Sequence, residues 1–459
     1  MRYLHFPNRW FFKQRYGLLA LFLMAIAFPL IIKFFPSSPS PSHSAYAYTV
    51  SLNLPGISDR TGTIQREIDF YQVRLQADPH SGLNLAGLAN AYWKMGKATG
   101  EVSWYLRAEQ FAQRSLASLP FFNSGAELTL AQIAQARHDF KTAMRIAQKV
   151  LQQEPNHLEA QSLLITCHLA IGNLTKADRL VTDLVNQMPN LETLTLQGLV
   201  QEAQGHPDTV ETFRLAIQAE EAGEMGNSAF ARVLLGRHFY QRGKLEAAAD
   251  LYREALRIIP RYPLALLNLA TLETRRGNYA EAENLYNQVK AYSQQSTTMY
   301  DHTVLRGKAR LQQLQGGDFD QLLQQAETLL RQETNAGHEA GAFGHRRELA
   351  QLLLDRDRPT DRQEALALMQ VERTVRQDVQ TLSVLALALA RTGKLTEAQT
   401  VLRSAIQRGT QDAALFTQAA QLEQQLGNAQ QATRYQTLAK QIDPHFDQQA
   451  QQAIGFEPL

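Results

Sequence analysis

Apolar positions follow two different patterns along the chain. From about Ser81 onward, Ala, Leu, Gln and Glu recur at the three-to-four-residue spacing of amphipathic helices, and the alternation typical of β-strands does not occur. This spacing predicts an all-α fold for most of the chain. Residues 17–32, in contrast, are apolar without interruption.

The N-terminal apolar run predicts a membrane anchor. With Lys33, Phe34 and Phe35 it forms a 19-residue stretch at 17–35, about 28 Å of helix, which is enough to cross a bilayer. Four basic residues precede the run and one follows it, so we expect the N-terminus to be cytoplasmic and the rest of the chain extracytoplasmic. The basic residues are Arg2, Arg9, Lys13, Arg15 and Lys33.

Two further N-terminal features qualify this interpretation. Residues 36–44, PSSPSPSHS, have the composition of an extended spacer. Together with a lead-in helix this region spans 36–80 and separates the tail and anchor at 1–35 from the helical region. Ala45, Tyr46 and Ala47 form a small-x-small motif of the kind cleaved by signal peptidase. Secretion after cleavage is therefore the alternative to a retained anchor.

A seven-residue motif recurs at a fixed distance. The sequence RGKLEAA at 242–248 returns 34 residues later as RGNYAEA, and TGKLTEA at 392–398 returns 34 residues later as LGNAQQA. Glycine permits the positive φ that ends a helix, and alanine lets two helix backbones approach closely. The repeated motif therefore predicts a series of helix–turn–helix units.

This period and these positions resemble the tetratricopeptide repeat. The most complete copy is residues 229–260, with Gly243 at the turn, Ala248 at the helix contact and Pro260 at the end. The resemblance implies a right-handed superhelical solenoid of about ten units from residue 81 to the C-terminus. Its N-terminal half would be 81–260, and its C-terminal half with a capping helix would be 261–459. Less regular copies are expected at 87–120, 194–217, 305–330 and 349–369.

The family resemblance also implies where partners bind. First helices line the concave groove of such solenoids, which receives peptides or partner helices. Carrying the inward positions over to two adjacent copies gives six candidate partner-binding residues. They are Arg237, Tyr240, Gln241, Thr271, Thr274 and Arg275.

Charge and cysteine content exclude several classes of function. Lys and Arg number 46 against 44 Asp and Glu, but five of the cations lie in the first 35 residues, so the remaining chain is slightly acidic. A slightly acidic chain cannot neutralise many phosphates, which excludes nucleic acid as an expected partner. The single cysteine, Cys167, excludes an internal disulfide and a cysteine-based metal site, and we interpret it as a packing residue.

The motifs of catalysis and cofactor binding do not occur in the sequence. The segment GHEAGAFGH, flanked by His338 and His345, has neither metal-ligand nor phosphate-loop spacing. We therefore expect no enzyme activity, cofactor or metal. The leading hypothesis is a membrane-tethered scaffold or assembly factor that binds other proteins in its groove. The alternative is a sensor or carrier of a small molecule or glycan, suggested by Tyr240, Trp93 and Trp104.

Overall fold

The structure is a computed structural model that describes residues 46–48, 60–292, 297–335, 344–447 and 450–451. The chain divides into two units, Met1–Ala47 and Tyr48–Leu459. The described residues form 21 helices, all in the second unit, and no β-strand. The predicted anchor at 17–35, the spacer at 36–44, Ala45 of the cleavage motif and most of the tail after residue 447 lie outside them. Among the described helices, none combines the length and apolarity that membrane crossing requires.

After a lead-in helix, the described helices form ten helix–turn–helix units in sequence order. The lead-in helix α1 is Arg60–Ala77. Unit 1 is α2 (Gly82–Thr99) with α3 (Val102–Ser118), unit 2 is α4 (Ser124–Ala136) with α5 (Phe140–Gln153), and unit 3 is α6 (Leu158–Ala170) with α7 (Leu174–Gln187). Unit 4 is α8 (Leu191–Gln204) with α9 (Thr209–Gln218), and unit 5 is α10 (Met225–Gln241) with α11 (Leu245–Ile258). Unit 6 is α12 (Pro263–Arg275) with α13 (Tyr279–Tyr292), unit 7 is α14 (Asp301–Leu314) with α15 (Asp320–Asn335), and unit 8 is α16 (Arg346–Arg356) with α17 (Pro359–Glu372). Unit 9 is α18 (Val379–Arg391) with α19 (Leu395–Ile406), and unit 10 is α20 (Ala413–Gln425) with α21 (Ala429–Ile442).

Each helix packs on its neighbours in sequence, and most first helices also touch the first helix of the next unit. The first helices therefore form an inner layer and the second helices an outer one. This is the arrangement of a helical solenoid, and it confirms the predicted all-α class.

The repeated motif forms the turns and helix contacts that the sequence predicts. Gly243 and Gly277 end their first helices with φ of 68° and 79°, a conformation that a side chain would strain. Ala248 is fully buried between helices. Gly236 leaves room for the second helix of its unit, because a Cβ there would lie 2.4 Å from a ring carbon of Tyr252.

The less regular copies also form units. The helices of unit 1 are longer than those of the motif-bearing units, since α2 continues to Thr99 before a turn at Gly100 and Glu101. Its small residue, Ala108, is fully buried. Units 4, 7 and 8 occupy the positions of the degenerate copies at 194–217, 305–330 and 349–369.

The early turns of the solenoid touch the connections between late units. These contacts follow each other in order along the chain, so the solenoid winds back upon itself. Met299 N donates to Gly100 O (2.9 Å), Gln377 N to Ala170 O (3.0 Å), Arg408 Nη1 to Gly172 O (3.2 Å) and Thr410 Oγ1 to Ala203 O (3.1 Å), while Glu101 and Thr298 form an isolated antiparallel bridge. We call this set of contacts the self-contact.

The self-contact ends in a buried ion pair. Arg275 Nη2, at the end of α12, lies 2.5 Å from Asp443 Oδ2, just after α21. Both side chains are buried, and a Cβ on Gly243 would lie 2.2 Å from the same carboxylate. The last unit is thereby joined to units 5 and 6.

Tyr48, which precedes α1 in the chain, also contacts unit 5. Tyr48 N donates to Glu254 Oε1 at 2.5 Å, and Arg257 donates to Tyr48 O at 3.1 Å. The Arg232 guanidinium lies 5.7 Å from the centre of the Tyr48 ring, and Arg232 itself forms a fully buried ion pair with Glu220. Tyr48 is therefore attached through its backbone and its ring.

Replacing Asp443 with alanine should destabilise the chain. The Arg275 charge would remain buried without its carboxylate, which costs about 3 kcal/mol. We expect a lower urea midpoint, measured by circular dichroism. Asp250→Ala is the matched control, because Asp250 is exposed and lies 3.7 Å from Arg253. Equal midpoints for the two variants would contradict the structural role of the pair.

Candidate functional site

The six predicted partner-binding residues lie on α10 and α12, but most of them are covered. Arg237 and Gln241 are half-buried, whereas the other four are buried. Thr271 Oγ1 and Thr274 Oγ1 donate to the carbonyls of Leu267 and Ala270, one turn earlier. These two hydroxyls are thus used inside the solenoid.

Asp443 and Phe446 of the C-terminal segment after α21 cover the part of this predicted surface around Arg275. The Arg275 guanidinium lies between the rings of Tyr240 and Phe446, with its carbon 5.6 Å and 5.9 Å from their centres, and it pairs with Asp443. Arg275 also donates to Tyr240 O at 3.4 Å. A partner-binding role for the six residues stays a prediction. In this structure the Arg275 charge is neutralised within the chain.

A polar cavity lies on the inner face of units 1–5. Its volume is about 520 Å³. First helices of all five units and the start of α1 line it, through residues that include Arg60, Asn90, Trp93, Lys97, Gln132, Gln135, Glu159, Ser162, Glu192, Asn227 and Phe230. We call it the concave cavity. The sequence pattern predicted an inner face but did not single out these residues, and Arg60 lies outside the repeats altogether.

Two cations in the concave cavity have no carboxylate partner among the described residues. Arg60 and Lys97 form no ion pair within 4.0 Å with that part of the chain, whereas neighbouring Lys94 pairs with Glu67 at 2.9 Å. Burial lowers the pKa of Lys97, and Arg60 lowers it further. The Lys97 side chain is exposed to solvent, although the walls of the cavity surround it. The centre of the Trp93 ring lies 6.0 Å from Lys97 Nζ.

Two carboxylates in the cavity are likewise unpaired. Glu159 and Glu192 have no cation within 4.0 Å in the described residues, and Ser162 Oγ donates to Glu192 Oε1 at 3.0 Å. Burial raises the pKa of Glu192, and the nearby Glu159 charge raises it further. The cavity therefore holds a cation pair and a carboxylate pair that do not neutralise each other directly.

A second cavity lies on the inner face of units 8–10. It has a volume of about 320 Å³, and its lining includes Gln351, Gln380, Gln418 and Phe446. Two of its charged side chains are paired within the chain, since Arg391 lies 2.8 Å from Asp357, and Asp355 lies 3.8 Å from Arg306. A third, Asp412, accepts a hydrogen bond from Ala414 N at the start of α20. The cavity offers mainly amides and an aromatic ring.

The aromatic residues that suggested a small-molecule site lie in different places. Trp93 lines the concave cavity. Trp104 stacks on Tyr92 with ring centres 5.6 Å apart. The guanidinium carbon of Arg107 lies 4.9 Å from the centre of the Trp104 ring. Tyr240 belongs to the surface that the C-terminal segment covers. The structure therefore brings only one of the three to the cavity.

His345 belongs to a buried cluster of charged and imidazole groups at the self-contact. Its ring lies 4.6 Å from that of His302, Arg347 pairs with Glu348 at 2.8 Å, and His138 lies 3.9 Å from Glu372. No group of three or more potential metal ligands occurs in the described residues. His338, at the other end of the glycine-rich segment, lies outside the described residues.

Cys167 is buried in the core of unit 3, as predicted. Burial raises the pKa of its thiol to about 12. A thiol with this pKa is protonated at neutral pH and is a poor nucleophile. The neighbouring His168 does not change this interpretation, because burial lowers the pKa of its ring.

The buried histidines should make the chain less stable in mild acid. Burial lowers the pKa of His138 to about 3, with a further contribution from Arg376, and burial lowers that of His302 well below its usual range. Both are neutral when folded but protonate near pH 6.5 when unfolded. Their contribution to stability is therefore present above pH 6.5 and is lost as the pH falls towards their folded pKa values.

Each histidine should cost about 1 kcal/mol on going from pH 7.5 to 5.5. The variant His138→Gln with His302→Gln should reduce the difference between urea midpoints at these two pH values. His80→Gln is the control, because His80 is exposed. An unchanged difference in the double variant would show that other groups dominate the acid sensitivity.

Known protein families match the middle of the chain. A family model described as Tetratricopeptide repeat matches residues 134–200 and 239–302, and a second model of the same description matches residues 214–263. These spans run from the end of α4 to the start of α14. No curated protein matches the chain. The matched segments and the helix pairs together identify tetratricopeptide repeats in this protein.

Proposed function

We propose that this chain is a scaffold or assembly factor that binds a protein partner in the concave cavity. The observation that carries the proposal is the lining of this cavity. Polar side chains from five successive first helices converge there. Three of them, together with Arg60 of α1, are charged without a close partner of opposite charge in the described residues. Tetratricopeptide repeats suggest a protein-interaction scaffold, and the matched segments supply part of the lining.

The binding surface in this proposal is the concave cavity and not the surface around Arg275. The C-terminal segment occupies the surface around Tyr240 and Arg275, so a partner would have to displace Asp443 from a buried ion pair. Removing one member of such a pair is strongly unfavourable. The concave cavity needs no such displacement, because its charged side chains are already accessible or half-buried.

The self-contact favours a preformed site. It holds the turns of units 1, 3 and 4 through backbone and side-chain hydrogen bonds to later connections. Binding to a site that is already ordered avoids the loss of conformational freedom that weakens flexible sites. The partner can therefore be the flexible component, for example an extended segment.

The N-terminal segment supports a proposal about location. The apolar stretch at 17–35 with its preceding basic residues would tether the solenoid to a membrane on its extracytoplasmic side. Cleavage after Ala47 is the alternative, and it would release the same solenoid outside the cytoplasm. Either arrangement makes the partner an extracytoplasmic or membrane protein.

The volume of the concave cavity also supports a second candidate function. Sites for small molecules have volumes of roughly 300–1,000 Å³, and about 520 Å³ lies within this range. Such sites are usually lined mainly by apolar side chains, whereas Trp93, Leu163, Leu196 and Phe230 are outnumbered here by polar ones. A sensor or carrier of a polar small molecule or glycan is therefore the runner-up.

Site-specific photo-crosslinking in the cells that produce the protein tests the scaffold proposal. A photoreactive residue in place of Gln132, which lines the cavity, should give a protein adduct of defined size. The same residue in place of Lys141, exposed on α5, is the matched control and should not give this adduct. Equal adducts from both positions, or none from Gln132, would overturn the proposal.

Protease accessibility tests the proposed location. In cells whose outer layers are opened while the cytoplasmic membrane stays intact, protease should digest the repeats and spare a cytoplasmic marker. An epitope placed before Arg2 should also survive if the anchor is retained, and should be absent from the mature chain if it is cleaved. Repeats that are digested only together with the cytoplasmic marker would show that they lie in the cytoplasm.

A further inference from the structure

The two like-charged pairs in the concave cavity point to a particular kind of partner segment. Arg60 and Lys97 are close enough for the Arg60 charge to lower the pKa of Lys97. The Glu159 charge likewise raises the pKa of Glu192. Placing like charges together inside a concave, partly desolvated space is unfavourable unless something of opposite charge joins them.

The opposite charges that the fold supplies act only at a distance: Glu192 and Glu159 raise the pKa of Lys97, and Lys97 lowers that of Glu192, without direct contact. The cation pair and the carboxylate pair lie in one cavity, yet no atoms of the two pairs approach within the 4.0 Å of a salt bridge. Other charges around the cavity are satisfied, since Lys94 pairs with Glu67. The cation pair and the carboxylate pair are therefore exceptional in lacking salt bridges, because Lys94 beside them has one.

Helix ends explain the charges only in part. Glu159 and Glu192 lie in the first turns of α6 and α8, and Lys97 lies in the last turn of α2. Each sign suits its helix end, but this effect is weak at exposed positions and does not neutralise a charge. It does not account for Arg60, which begins α1 and lies against α10. A Cβ on Gly226 would be 2.7 Å from the guanidinium carbon of Arg60.

We infer that the concave cavity binds a partner segment that carries an acidic and a basic side chain close together. The acidic side chain would lie between Arg60 and Lys97, and the basic one at Glu159 and Glu192. The amides of Asn90, Gln132 and Asn227 would hydrogen-bond the backbone of the segment. This inference rests on the proposed function and adds the chemistry of the partner to it.

The cavity dimensions and neighbouring groups agree with a short peptide segment. A volume of about 520 Å³ holds a few residues. Trp93 offers a ring face beside Lys97 against which the aliphatic part of a side chain can pack. In the second cavity, Asp355 and Arg391 already have partners of opposite charge within the chain, so it is less suited to a segment that carries both signs of charge.

Selection from a random library of displayed dodecapeptides on the purified full chain tests this inference. Recovered peptides should carry both an acidic and a basic residue, and their synthetic forms should bind in fluorescence anisotropy. Lys97→Gln and Glu192→Gln should each weaken binding roughly ten- to a hundredfold, the effect of losing a charge-assisted hydrogen bond. Lys141→Gln and Glu283→Gln are matched controls at exposed positions on second helices and should leave affinity unchanged.

A double-mutant cycle connects each protein charge to a peptide charge. Replacing the acidic residue of the peptide with glutamine should weaken binding to the native chain but have little further effect on Lys97→Gln. Replacing the basic residue should behave likewise with Glu192→Gln. Additive losses would overturn the inference, as would recovered peptides of one charge sign or of none, or a selection that recovers no peptide.

The outcomes separate this inference from the proposed function. If the chain forms adducts from position 132 in cells but selects neutral or single-sign peptides, the scaffold stands and the charge inference fails. If no adduct forms from that position, the proposed function fails whatever the selection yields. If a free glutamyl-lysine dipeptide protects the chain from thermal unfolding as strongly as a selected peptide, the site holds a small zwitterion, which overturns the inference.

Discussion

The self-contact is the constraint on which the rest of this structure depends. An open solenoid is held together only by neighbouring units, so its curvature and groove can change with small rotations between them. Here the turns of units 1, 3 and 4 are hydrogen-bonded to connections that follow units 6, 8 and 9. Residues about 200 positions apart in sequence thereby fix the curvature of the inner layer, and with it the position of the cavity walls.

Much of the self-contact is polar, unlike the packing within the units. Inside each unit, small residues such as Ala248 and Ala143 allow apolar helix faces to meet. Between distant units, Arg275 meets Asp443, and the cluster around His302 and His345 contains several buried charges. Buried ion pairs add little net stability but are costly to break, and they favour one arrangement over others. Packing within the units thus supplies most of the stability, while the self-contact determines how the units are arranged relative to one another.

The sequence was informative about local structure and less so about long-range contacts. Period, turn and helix contact follow from Gly243, Gly277 and Ala248, because a glycine turn and a small interface residue act within one unit. The pairing of Arg275 with Asp443 joins positions that no repeat period relates. The concave cavity was missed for a similar reason, since Arg60 comes from the lead-in helix and meets the inner face only after the chain has wound round. The six inward positions came from the family resemblance, and the sequence could not show which of them the C-terminal segment would cover.

The order of the self-contacts has a consequence for how this protein could change over evolutionary time. Repeat arrays commonly gain or lose whole units, because each unit needs only its neighbours. In this chain, an extra unit between units 6 and 7 would shift every later connection away from its early turn. Gly172 would no longer face Arg408, and Asp443 would not reach Arg275. The self-contact therefore fixes the number of units, because an array of another length would not bring the later connections to the early turns. Selection for folding would preserve that number.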